Sequence, residues 1–144
     1  MKNKDLVRIY NGINSLTGLK GTKFTYAMAK NKRILEPEVT DIQDTLKKDN
    51  PKFVKYQEEM GVITKKLKQE KDEKKVIELQ TEFTEVQEKH KETIDKFMAQ
   101  DKELGEIENK VEVHKIKLED VPGEITNEQM DSIYELIEGK VDAK

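Results

Sequence analysis

Lys20, Lys23, Tyr26, Lys30 and Arg33 follow one another at offsets of three, three, four and three. On a helix that spacing puts four cations and one phenol ring on a single stripe. Such a stripe, with the free N–H groups of a helix start near Thr22, could hold a phosphate-bearing ligand while Tyr26 stacks on a base. A plainer account ranks ahead of it: the stripe is a solvated face, or it pairs with the acidic C-terminal segment bearing Glu128, Asp131, Glu135 and Glu138. Residues 1–35 hold eight basic residues against Asp5 alone, a charge of +7, so with a net charge of −3 the rest of the chain carries −10. That asymmetry fits either an anion-binding face or two oppositely charged ends that dock.

Other chemistry finds little to stand on. His90 and His114 lie on different elements, and neither has a second His or a Cys at ligand spacing. His90 reads as a residue at the edge of a helical seam and His114 as a surface group on a strand. The chain lacks a nucleophile elbow, a Walker loop, a dinucleotide fingerprint and a His-Glu-x-x-His pair. Its thirty Asp and Glu residues supply chance acid pairs, which on polar helices are solvated far more often than catalytic. The expectation is a non-enzymatic protein with no catalytic residue, no metal and no cofactor. "GLKG" matches the Gly-x-x-Gly loop by which KH domains clamp a nucleic-acid backbone, but that fold needs a three-stranded sheet and only one strand is legible.

The elements that would position the stripe are mostly helical. Charged residues make up 40% of the 144-residue chain and hydrophobic ones 34%, a balance typical of long exposed helices around a thin core. With no cysteine, no disulfide can staple the fold. No signal-peptide core and no membrane-length apolar run is present, which predicts a soluble cytoplasmic protein.

Leu6, Ile9 or Tyr10, Ile13 and Leu16 predict a first helix, ended by the glycines of "TGLKG". Thr22 can cap the next, where Phe24, Met28, Leu35, Val39, Ile42 and Leu46 keep helical register. Asn31 falls where this stripe expects an apolar residue, and reads as a buried polar group that fixes packing register. Pro37 kinks the helix or splits it, and the unbroken apolar phase favours the kink. "KFTYAM" alternates as well and could be a short strand.

"DNP" at 49–51 opens a further helix, whose Phe53, Tyr56, Met60, Ile63 and Leu67 form a heptad seam. "KQEKDEKK" interrupts the seam, which restarts with Val76, Leu79, Phe83, Val86, His90, Ile94, Phe97, Leu104 and Ile107. A hairpin with this charge run at its tip is preferred over one long helix that would need a partner chain. Residues 111–118 read as a strand with Val111 and Val113 on one side, Ile116 and Leu118 on the other, and a bulge near His114 and Lys115. Its partner is "KFTYAM", a second copy, or another protein. Finally, Thr126 with Gln129 forms a capping box, with Ile125 and Met130 as staple, before a helix faced by Met130, Ile133, Tyr134 and Ile137 and stopped by Gly139.

The predicted fold is therefore mainly α: a helical, coiled-coil protein with one short β-strand near 111–118 and a C-terminal helix, homo-oligomeric. Its single domain divides into basic N-terminal helices (1–48), a coiled-coil region (51–109) and a strand plus capped helix (110–138). Phe83, Val86, Phe97, Val111, Val113 and Ile116 are the expected interface between copies.

The order of these parts, with "TYAMAKNKRIL", "VEVHKIKLEDVP" and "ITNEQMDSIYELIE", resembles small helical accessory proteins of bacteriophages and prophages. The resemblance implies action by binding in the host cytoplasm and no reaction. Counter-defence comes first among the roles it implies, either by sequestering a phosphorylated, nucleotide-type immune signal or by binding a host defence protein. A scaffold-like role in particle assembly is the alternative. Nucleic acid ranks below both because the chain is negative overall, and no membrane partner is expected.

Overall fold

The computed structural model describes residues 1–138, and Gly139, the expected helix stop, lies outside them. Six helices dominate: α1 (Asn3–Ser15), α2 (Thr22–Asp49), α3 (Pro51–Gln69), α4 (Glu73–Lys89), α5 (Lys91–Gly105) and α6 (Asn127–Ser132). Two short strands, β1 (Ile116–Lys117) and β2 (Ile137–Glu138), pair in parallel with Ile116 opposite Ile137. The fold is thus mainly helical with a small sheet. The chain forms two compact units, one of residues 1–42 and 104–138, the other of residues 43–103. No helix among the described residues is long and apolar enough to cross a membrane.

In the first unit, α1 buries Leu6, Ile9 and Ile13, the positions its helical spacing marks. The loop to α2 turns at Gly18 and Gly21, whose φ values of 74° and 129° suit glycine. Thr22 is the first helical residue of α2 rather than its cap, and Thr25 N–H donates to the Gly21 carbonyl at 2.9 Å. "KFTYAM" is helical: Phe24, Ala27, Met28, Asn31 and Leu35 face inward at steps of three, one, three and four. Pro37 sits inside the unbroken helix.

The strand expected over 111–118 is reduced to two residues, and its partner within the chain is not "KFTYAM". β1 pairs with β2, residues expected to continue the final helix. That helix has its capping box, with Thr126 Oγ1 accepting from Gln129 N–H at 3.1 Å and Gln129 Oε1 accepting from Thr126 N–H at 2.9 Å. It stops at Ser132 and tightens into a 3₁₀ turn, Tyr134–Leu136. An α-helix faced by Met130, Ile133, Tyr134 and Ile137 would turn Leu136 away from the core. The 3₁₀ turn and strand bury Ile133, Leu136 and Ile137 together.

The backbone ahead of β1 finds its partner in a side chain. Asn31, fully buried on α2, donates from Nδ2 to the His114 carbonyl at 2.8 Å, while its Oδ1 accepts the His114 N–H at 2.6 Å. One amide thus replaces a neighbouring strand, satisfying both backbone groups of a residue that has no ladder. Val111 and Val113 pack half-buried against this core and Ile116 lies inside it, so these three expected interface residues are used within the chain.

A second pairing had no sequence signal. Asn3 N–H donates to the Ile107 carbonyl at 3.0 Å and Asn109 N–H to the Met1 carbonyl at 2.8 Å, an antiparallel contact of residues 1–3 with 107–109. Lys2 and Lys4 flank it, both bonding Glu106, at 2.6 and 2.8 Å. Their ammonium hydrogen bonds, Lys2's foremost, and then their charge lower the Glu106 pKa from 4.5 to about 2. Glu106 raises the Lys2 pKa in return.

A carboxylate held below its ordinary value takes up its proton more readily in the unfolded chain. The contact's stabilisation is therefore complete above pH 4.5 and lost as pH falls towards 2. Urea midpoints should drop across that window, and less so for Glu106→Gln. High salt should shrink the difference, because all three side chains are exposed.

In the second unit, Asn50 precedes Pro51, the first residue of α3, and is itself buried. Its Nδ2 donates to the Leu46 carbonyl at 2.8 Å and to Gln100 Oε1 at 2.5 Å. α3 and α4 form a hairpin whose tip is the charge run, where Asp72 Oδ1 caps α4 by accepting Lys74 N–H at 3.0 Å. Phe53, Tyr56, Met60 and Ile63 are buried along the seam, with Phe83, Val86, Ile94 and Phe97 half-buried against them. Phe53 and Phe97 stack with ring centroids 3.8 Å apart. Phe83, Val86 and Phe97, expected between copies, thus pack inside the hairpin unit.

His90 interrupts the second seam between α4 and α5, its ring 5.3 Å from that of Tyr56. Its Nε2 lies 3.2 Å from Glu59 Oε2 without the alignment of a hydrogen bond. It is the seam-edge histidine the heptad spacing suggests.

Candidate anion-binding face

The side of α2 that points to solvent is set by the side that does not. With Phe24, Ala27, Met28, Asn31 and Leu35 inside, Lys23, Tyr26 and Arg33 are exposed and Lys30 is half-buried. Lys20 is exposed in the loop ahead of the helix. From Lys23 to Arg33 the helix rises about 15 Å, so the face is long and open rather than cupped.

Electrostatically the stripe differs from the cations of α1 and the residue before it. Lys2 and Lys4 share Glu106, and Arg8 holds Glu135 through both guanidinium nitrogens, with Asp5 at 3.6 Å. Among the described residues, Lys20, Lys23, Lys30 and Arg33 have no carboxylate partner. The acidic C-terminal segment does not neutralise them: Glu135 is engaged by Arg8, and its backbone carbonyl accepts from Lys115 Nζ. The first turn of α2 contains no acidic residue, leaving its positive dipole end uncompensated as well.

Tyr26 is 57% exposed, and its ring meets that of His114 edge to face, centroids 6.1 Å apart. Asn31 makes that contact possible by holding the His114 backbone from the inner side of the same helix. His114 thus belongs beside the stripe, a placement sequence reading missed because it depends on a contact across 83 residues. The signal available was Asn31 itself, a lone amide on an otherwise apolar face.

"GLKG" does join two helices, but the described residues contain only the two-stranded pair β1–β2 and not the three-stranded sheet of a KH domain. Comparison with protein-family models, curated proteins and solved structures finds no match for this chain.

Proposed function

We propose that the protein acts by binding, not catalysis, and that the outer face of α2 takes a phosphate-bearing partner. The observation that carries this reading is the row of Lys23, Lys30 and Arg33 along α2 with the exposed Tyr26, none of the three cations held by a carboxylate among the described residues, in a chain that is negative overall. Phosphates would sit on Lys23, Lys30 and Arg33, and a base would stack on Tyr26 beside His114. The length of the stripe suits a ligand with separated anionic groups better than a single phosphate. In the phage setting its sequence resemblance implies, the role would be counter-defence by sequestering a nucleotide-type immune signal.

The test is a thermal-shift screen against mononucleotides, linear dinucleotides and cyclic dinucleotides at low and high salt. A ligand of this face should raise the melting temperature, less so at high salt. Replacing Lys23, Lys30 and Arg33 together by Gln should weaken binding about a hundredfold or more, as befits the loss of several charge-assisted contacts. The melting temperature of the free protein should move little, since Lys23 and Arg33 are exposed and Gln keeps most of the stem of the half-buried Lys30. Unchanged affinity in the triple variant would rule this face out. A wild-type protein that binds no nucleotide but retains a virion component would favour the assembly role.

A further inference from the structure

α4 contributes no buried residue. Its inner seam, Val76, Leu79, Phe83, Val86 and His90, is matched on the helix's other side by a second stripe at the same steps: Lys74, Ile77, Thr81, Thr84 and Glu88. All five of these outer residues are exposed, Ile77 at 61%. Ile77, Thr81, Thr84 and Glu88 share an open, nearly flat surface of α4 with Gln80 and Glu85. Thr81 Oγ1 donates to the Ile77 carbonyl at 3.0 Å and Thr84 Oγ1 to the Gln80 carbonyl at 3.1 Å. With the hydroxyls spent on the helix's own backbone, these threonines offer a partner their methyl groups. The stripe is therefore apolar in the middle, cationic at one end and anionic at the other, and neither Lys74 nor Glu88 has an ion-pair partner among the described residues.

We infer that this face is an interface with a second copy of the chain, α4 packing antiparallel on α4 about a two-fold axis at Thr81. Lys74 and Glu88 lie seven residues to either side of Thr81, so the two-fold sets each Lys74 against the partner's Glu88 twice over. Ile77 then falls level with the partner's Glu85, one residue past Thr84. Parallel packing would oppose Lys74 to Lys74 and Glu88 to Glu88, and charge repulsion disfavours it. The steps of three and four are those by which helix seams interlock. The pairing does not depend on the α2 face.

Sedimentation velocity of the full chain over a concentration series tests this. The expected result is a monomer–dimer equilibrium that Ile77→Lys abolishes. Lys74→Glu and Glu88→Lys should each weaken it about tenfold by setting like charges together twice. The double swap K74E/E88K should restore it, which no general surface or folding effect would do. A wild-type monomer at every concentration would overturn the inference. So would an oligomer indifferent to all four variants, or one bound to a different protein through this face.

Discussion

Replacing Asn31 with Ala should cost the protein about 3 kcal/mol of stability, read as a fall in the urea midpoint at unchanged slope. Few side chains here do as much: Asn31 is fully buried and satisfies both the N–H and the C=O of His114, at 2.6 and 2.8 Å. Alanine removes two hydrogen bonds and leaves two part-buried backbone groups without partners. Asn31→Asp should cost as much or more. It keeps the acceptor for the His114 N–H, but loses the donor and buries a negative charge. Backbone hydrogen exchange at His114 should accelerate in both variants. A loss below about 1 kcal/mol would show that water or a rearranged segment replaces the amide easily.

The next largest effect is expected at Gly12, where α1 crosses α6. A Cβ added there would stand 2.7 Å from both the Cβ and the backbone oxygen of Ser132, closer than real Cβ atoms approach. Because one obstacle is backbone, a rotamer change cannot relieve it. Gly12→Ala should therefore destabilise by about 2 kcal/mol even though alanine favours the helix. Gly12→Val should be worse. Gly61, exposed in the interior of α3, is the control: nothing lies within 4 Å of its added Cβ. Gly61→Ala should stabilise by about 0.5–1 kcal/mol. Equal denaturation midpoints for the two alanine variants would contradict the close helix crossing at Gly12.

These positions show which parts of the fold local pattern could reveal. The α3–α4 hairpin was legible because Phe53, Tyr56, Met60 and Ile63 keep heptad steps and an eight-residue charge run cannot be buried between them. The capping box at Thr126 and Gln129 was legible because both halves of it lie within four residues. β2 was not: Met130, Ile133, Tyr134 and Ile137 satisfy a helical period, and the pairing of Ile137 with Ile116 that goes with the 3₁₀ turn and strand has no local signal. Asn31 was visible as an interruption of an apolar stripe, yet its partner lies 83 residues away. The exposure of Lys23, Tyr26 and Arg33 on one helix followed from spacing, whereas Lys20, counted into the same stripe, lies in the loop, and the place of His114 beside Tyr26 followed from Asn31. Likewise the boundary between the two units falls inside α2 and α5, where no composition change announces it.

The pH and salt response of the Glu106 cluster bears on the end of the chain next to Lys2, and the α4 face bears on association. Neither touches the central claim, that the unpaired cations of α2 hold a phosphate-bearing partner. The measurement closest to that claim is native mass spectrometry of wild-type protein and the Lys23, Lys30 and Arg33 triple Gln variant, each purified gently from a host with an active defence system. Wild type should carry a discrete added mass of a phosphorylated compound, and the triple variant, equally folded by circular dichroism, should emerge bare. A wild type without added mass, or a triple variant that keeps the same mass, would contradict the claim.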